Sequence, residues 1–158
     1  MMSVVEGYHY AELDDFALLR DFECGVPCMD ADLHDTTVQE EIKSNNYIPY
    51  GVFDDDKKLV AFFAVGQDRY EEEGFAFEIA YLAVQKEKQR GGVGKACIRE
   101  IVKIAKEKGY KIVTVSALSL TAPSEKYEAV SFYRRCGFRQ LELQQKGMQV
   151  VPMWRPIE

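Results

Sequence analysis

With 158 residues, 47% of them hydrophobic, the chain has enough apolar surface for one domain with a sizeable core. A formal net charge of −6 disfavours nucleic acid as a partner and favours cations. No window approaches the roughly 18 consecutive apolar residues that a membrane-spanning helix needs, so a membrane protein of that kind is excluded.

The start carries Glu6 and no basic-then-apolar run, so a cytoplasmic protein is expected. Residues from about Gly7 to Ala11 read as a first strand, and Asp14 or Asp15 is placed to cap a short helix ending at Leu19. Phe22-Glu23-Cys24-Gly25-Val26-Pro27 breaks the pattern. A helix is then expected from Met29 to Lys43, with Leu33, Val38 and Ile42 inward. Tyr47–Phe53 and Leu59–Gln67 read as an antiparallel hairpin joined at Asp54–Lys58. The acidic runs Asp54-Asp55-Asp56 and Glu71-Glu72-Glu73 fall in the turns at either end of the second strand. The first reads as a solvated turn, the second as a feature that would attract a cation.

The central stretch follows. Phe77-Glu78-Ile79-Ala80-Tyr81-Leu82-Ala83-Val84 is rich in β-branched and aromatic residues, as a buried strand should be. Val93, Cys97, Ile98, Ile101, Val102, Ile104 and Ala105 then recur at helical spacing. Gln89-Arg90-Gly91-Gly92-Val93-Gly94-Lys95 joins the two, so a glycine-rich turn opens a helix. The first turn of a helix offers N–H groups without internal partners and the positive end of the dipole. Glycines at 91, 92 and 94 leave those donors accessible, and Arg90 and Lys95 add positive charge, so the stretch reads as a pyrophosphate cradle. A nucleoside-triphosphate loop would need glycine at Gln89 and Ser or Thr at Ala96; a dinucleotide fingerprint would need Gly or Ala at Cys97. Both readings fail.

After the Gly109 stop, Ile112–Leu118 reads as a short strand, 120–125 as a loop and Ser124 as a helix cap. Ala129-Val130-Ser131-Phe132-Tyr133-Arg134-Arg135-Cys136-Gly137-Phe138 reads as a helix ending at Gly137. Arg139–Leu143 and Met148–Trp154 read as a terminal hairpin around Lys146-Gly147. With no linker, repeat or low-complexity segment, residues 1–158 are expected to form one α/β (α+β) domain.

In the form Gln/Arg-x-x-Gly-x-Gly/Ala after a strand ending Leu-Ala-Val, the central stretch resembles the acetyl-coenzyme A signature of the GNAT N-acetyltransferase superfamily. The run from Ala129 to Phe138 is similar to that superfamily's closing helix. The resemblance is strong over the C-terminal half, and earlier it extends only to element order. It implies a mixed, mostly antiparallel central sheet flanked by helices and splayed between the central strand and the strand at 112–118. It implies acetyl-CoA as co-substrate, held by Leu82, Ala83, Val84, Gln89, Arg90, Gly91, Gly92, Val93, Gly94, Lys95 and Tyr133. The Leu82 N–H would polarise the acetyl carbonyl at a bulge in the central strand, and Ala83 and Val84 would bind the pantetheine amides. Glu78 matches a general base and Tyr133 the acid that protonates the leaving thiolate. Strand alternation puts Glu78, Ala80 and Leu82 on one face, so Glu78 is either exposed or turned to the acceptor cleft. Tyr133 is otherwise a core aromatic with its hydroxyl at the rim. The asparagine that members often carry before the closing helix is missing; Ser119, Thr121 and Ser124 stand in a longer loop.

No metal is expected. Cys24, Cys28, Cys97 and Cys136 read as buried, reduced thiols, although Cys24-x-x-x-Cys28 has a metal-binding alternative, and His9 and His34 read as structural or exposed. Met153 and Trp154 cover the core or form a dimer contact. The activity expected is acetyl transfer to a primary amine of a cationic small molecule or a peptide. The alternatives are a toxin-like enzyme acting on aminoacyl-tRNA, suggested by Phe22-Glu23-Cys24-Gly25 with Met29-Asp30, and a non-catalytic acetyl-CoA-binding module.

Overall fold

The computed structural model describes residues 3–5, 7–89, 91–118, 129–140 and 150–157. Their elements are β1 (Ser3–Val5), β2 (Tyr8–Glu12), a 3-10 turn at Ala17–Leu19, α1 (Pro27–Leu33) and α2 (Thr36–Ser44). There follow β3 (Ile48–Phe53), β4 (Leu59–Gln67), β5 (Ala76–Val84), a 3-10 turn at Lys86–Lys88 and α3 (Val93–Glu107). The chain closes with β6 (Ile112–Leu118), α4 (Val130–Arg135), β7 (Arg139–Gln140) and β8 (Val150–Pro156). The strands form a mixed sheet in the order β1-β2-β3-β4-β5-β6-β8-β7. The β5–β6 pair is parallel, as a strand joined to the next by a helical crossover must be, and the other described pairings are antiparallel. The β5–β6 register runs from Ala76↔Ile112 to Ile79↔Val115 and ends there, which is the expected splay.

Packing separates two compact units, Met1–Gly66 with Ala80–Ile101, and Gln67–Ile79 with Val102–Glu158. In the first, β4 is the spine. Val60 to Val65 are fully buried, as a strand covered on both faces requires. Tyr50 stacks on Phe63 with ring centroids 5.0 Å apart, and Phe16 meets Phe62 edge-on at 6.2 Å. The β3–β4 turn is held by Asp54, whose carboxylate accepts the N–H groups of Asp56 and Lys58, so the first acidic run is a self-capped hairpin turn. Two local expectations are corrected here. A strand at Ser3–Val5 precedes and pairs with β2. The helix expected over 29–43 is two helices, because Asp35 leaves the helical conformation and its carboxylate caps Thr37 N–H at 2.8 Å. Asp15 rather than Asp14 receives the Ala17 N–H before the 3-10 turn.

In the second unit β8 lies between β6 and β7 and pairs with β6 along its whole length, from Ile112↔Pro156 to Leu118↔Val150. Phe77 packs on Tyr110 at 4.9 Å, and Val113, Phe138 and Met153 are buried. The Arg139 guanidinium lies 5.6 Å from the Trp154 ring centre. Gly109 and Gly137 end α3 and α4 at φ +86 and +91. In each case the following residue donates five positions back, Tyr110 to Ala105 O and Phe138 to Tyr133 O, which satisfies a carbonyl that the helix leaves open. The expected Ser124 cap and the Lys146-Gly147 turn lie outside the described residues.

Candidate active site

The last residues of β5 are half-buried at Leu82 and Val84 and buried at Ala83. Beyond Ile79 the β6 ladder no longer runs alongside them. The strand end is anchored by Gln85 N–H, which donates to Val60 O at 2.8 Å. A single 3-10 turn leads to Gly91 and Gly92. Gly92 has φ +86, a conformation that L side chains rarely adopt, and a Cβ placed there would meet nothing within 4 Å. At Gly91 a Cβ would approach Lys88 O at 3.4 Å. The space above the turn is therefore open backbone.

α3 then starts. Val93, Ala96, Cys97, Ile98 and Ile101 form its buried face, while Lys95 is exposed. Ala96 N–H donates to Gly92 O at 3.0 Å, and the N–H groups of the first turn precede the intrahelical ladder. With the dipole's positive end and the Lys95 charge beside them, these residues fit a pyrophosphate. Arg90 lies outside the described residues, as does the 119–128 segment with its serines and threonine.

The Gln89 side chain is engaged within the protein. Its amide Nε2 donates to Cys24 O at 2.5 Å and to Val84 O at 3.1 Å. Both of its hydrogens are thus committed to backbone carbonyls. The loop it reaches is pinned again by α1, since the Asp30 carboxylate accepts from Cys24 N–H at 2.8 Å and Gly25 N–H at 3.1 Å. Nothing in the local sequence around Gln89 signals a partner 65 positions away.

Tyr81 is the site residue that periodicity did not single out. Burial raises its phenol pKa, and the carboxylates of Asp32 and Glu41 raise it further. Asp32 itself is raised, first by burial and then by Asp35 and Glu41. No lysine or arginine forms an ion pair with Asp32 or Glu41 among the described residues. These side chains come from α1, α2 and β5, so the first unit carries a concentrated negative field over the central strand. The run at 71–73 is exposed in a loop of the second unit, where Gln67 Nε2 donates to the carbonyls of Asp68, Glu71 and Glu72.

Glu78 and Tyr133 belong to the second unit, Leu82–Lys95 to the first. Glu78 is half-buried opposite Thr114 in the β5–β6 register. Tyr133 is only 6% exposed, its ring edge-on to Phe132 at 5.1 Å and to Phe138 at 5.3 Å. Among the described residues no three His, Cys, Asp or Glu side chains are grouped to hold a metal ion. Cys24 and Cys97 are buried, and burial pushes each thiol up to about 12, with Glu100 adding to the shift at Cys97. They are protonated and unreactive at neutral pH. His9 bonds Asp55 at 3.1 Å and His34 Nε2 donates to Phe22 O at 2.7 Å.

The fold has many relatives among solved structures. A Bacillus subtilis acetyltransferase in complex with CoA is 17% identical, with a TM-score of 0.69 over 94% of this chain and 98% of that one. The ribosomal-protein-S18-alanine N-acetyltransferase of Escherichia coli is 14% identical, with a TM-score of 0.69 over 95% and 94%. An aminoglycoside 6′-N-acetyltransferase complexed with coenzyme A is 15% identical, with a TM-score of 0.68 over 94% and 97%. No curated protein sequence matches the chain. The family model described as an acetyltransferase (GNAT) domain matches residues 46–140, more than half of the chain and the whole stretch from β3 to β7. The chain belongs to the GNAT acetyltransferase family.

Proposed function

We propose that residues 1–158 form a single acetyltransferase domain that uses acetyl-CoA to acetylate a primary amine, with the cytoplasm as its setting. The observation that carries this reading is Gly92 at φ +86, with no atom within 4 Å of a Cβ there, opening the 15-residue α3 one 3-10 turn after a strand whose end has left its neighbour. Bare N–H groups at such a helix start suit two linked phosphates.

Transfer forms a C–N bond and breaks a C–S bond. The amine must lose a proton, the carbonyl oxygen must be stabilised as it gains charge, and the thiolate must be protonated. In this reading Leu82 N–H donates to the carbonyl oxygen, Ala83 and Val84 orient the pantetheine arm, and Gly91 to Lys95 with Arg90 hold the pyrophosphate. Glu78 takes the amine proton, directly or through water, and Tyr133 donates to sulfur. A phenol with a reference pKa of about 10 is a competent acid toward a thiolate of about 8.5.

The acceptor class is a cationic amine. Asp32 and Glu41 act on Tyr81, and Asp35 on Asp32; among the described residues no lysine or arginine ion pair offsets Asp32 or Glu41, and an ammonium group would do so. The test is coenzyme A release measured over a panel of polyamines, aminoglycosides, peptide N-termini and aminoacyl-tRNA. Turnover with cationic amines, lost in Tyr133→Phe, is expected. A protein that does not bind acetyl-CoA, or that turns over only with aminoacyl-tRNA, overturns the reading.

A further inference from the structure

We infer that Gln89 is a positioning residue that holds the Cys24 peptide between α1 and the turn opening α3, so that a ligand seated on that turn restrains α1. The inference rests on the donor-site reading of the turn and deepens it.

The Cys24 peptide is gripped from both sides. Its N–H donates to Asp30 of α1 at 2.8 Å, and its carbonyl accepts from Gln89 at 2.5 Å. The neighbouring residue is tied across the same seam. Lys86 N–H donates to Glu23 O at 2.9 Å, and Glu23 N–H donates to Gln85 Oε1 at 3.4 Å. Gly25 stands against the aliphatic stem of Lys86, where a Cβ would meet Cγ at 3.5 Å. The loop at 23–25 is therefore laid along residues 85–89, the strand-to-helix turn itself.

A side-chain amide whose two hydrogens point at carbonyls cannot also face an anion, so the contribution of the Gln89 side chain is not a phosphate contact. It is a brace with one end on Val84, the last residue of β5, and the other on the loop that α1 clamps through Asp30. α1 also carries Asp32, whose carboxylate acts on the Tyr81 phenol. Tightening the turn around a bound donor therefore fixes the helix that presents negative charge to the acceptor. The coupling predicts that donor binding orders the acceptor side.

Hydrogen–deuterium exchange on the full chain, ligand-free and with coenzyme A, tests this. In the wild type, coenzyme A is expected to protect amides from 24 to 33. In ligand-free Gln89→Ala the Cys24 and Gly25 amides should exchange about tenfold faster, the scale of one lost hydrogen bond in a locally opening segment. Gln89→Ala should still bind coenzyme A within about threefold of wild type, yet confer no protection on 24–33. Gln89→Arg, which keeps N–H donors able to reach two carbonyls, should restore the protection. Unchanged exchange at Cys24 and Gly25 in Gln89→Ala overturns the brace. So does loss of coenzyme A binding with the loop still protected. A wild type that binds coenzyme A without protecting 24–33 removes the coupling alone, whereas one that does not bind removes the donor-site reading with it.

Discussion

The Thr114 hydroxyl of β6 donates to Asp68 Oδ2 at 2.8 Å, and the other oxygen of that carboxylate receives Tyr70 N–H at 3.0 Å. Asp68 is 9% exposed, so a buried polar side chain fastens the loop after β4 to the strand beside it. Its tip presents Tyr70, 81% exposed, with Arg69 over the ring at 5.3 Å. Asp68→Ala should cost about 1–3 kcal/mol and Thr114→Val about 1 kcal/mol, by the usual worth of a buried hydrogen bond and of a partner left without one. Because the two share a bond, the double variant should lose less than the sum in urea unfolding.

The second prediction concerns the backbone of the donor turn. Space is free above Gly92, so alanine there is opposed by conformation and not by contact. Gly92→Ala should destabilise the fold by about 1–2 kcal/mol, the cost of a left-handed L-residue. Coenzyme A affinity should fall by about tenfold if the turn relaxes away from φ +86. Thermal unfolding and a coenzyme A titration read the two effects separately.

Asp32 allows a charge test. Its folded pKa lies above its ordinary value of 3.8, chiefly through burial and then through Asp35 and Glu41. The folded state therefore holds this proton more tightly than the unfolded chain. The stability it contributes is full below 3.8 and is lost as pH rises through the raised folded value. At neutral pH Asp32→Asn should stabilise slightly, by no more than about 0.5 kcal/mol because solvent screens much of the repulsion. The same variant should raise KM for a cationic amine severalfold while leaving coenzyme A affinity unchanged.

Tyr133→Phe separates chemistry from packing. The edge-on contacts with Phe132 and Phe138 use the ring and survive the change. We expect kcat to fall by about a hundredfold, within the usual range for general acid catalysis, with little change in unfolding temperature. Steady-state kinetics beside thermal unfolding checks both.

Thiol reactivity should follow exposure. Cys28 is exposed, while the Cys24 and Cys97 thiols are buried and pushed up to about 12. A disulfide reagent should modify Cys28 in the native protein and reach Cys24 and Cys97 only on unfolding. Cys136 is partly exposed, so Cys28→Ser should remove the fast phase of reagent uptake and leave a slower one.

What the chain determined by itself is what depends on neighbours in sequence. The strand at 76–84, the glycine turn, the helix from 93 and its Gly109 stop follow from periodicity and from glycine's access to positive φ, both carried by contiguous residues. The Asp54 hairpin and the Gly137 cap are local in the same sense. Other features were settled only by tertiary structure. Asp35 divides the helix expected over 29–43, since a cap and a mid-helix aspartate look alike until the chain chooses its direction. β8 pairs with β6 along its whole length instead of only with β7, a choice made by strand pairing across the fold. The Gln89 side chain reaches Cys24 O, and Tyr81 lies in the field of Asp32 and Glu41, because residues 80–84 of β5, the turn after them and the two early helices are packed in one unit. Backbone preference acts over a few residues and leaves its mark in the sequence. Hydrogen-bond partners and electric fields depend on distances in space, which only the folded chain defines.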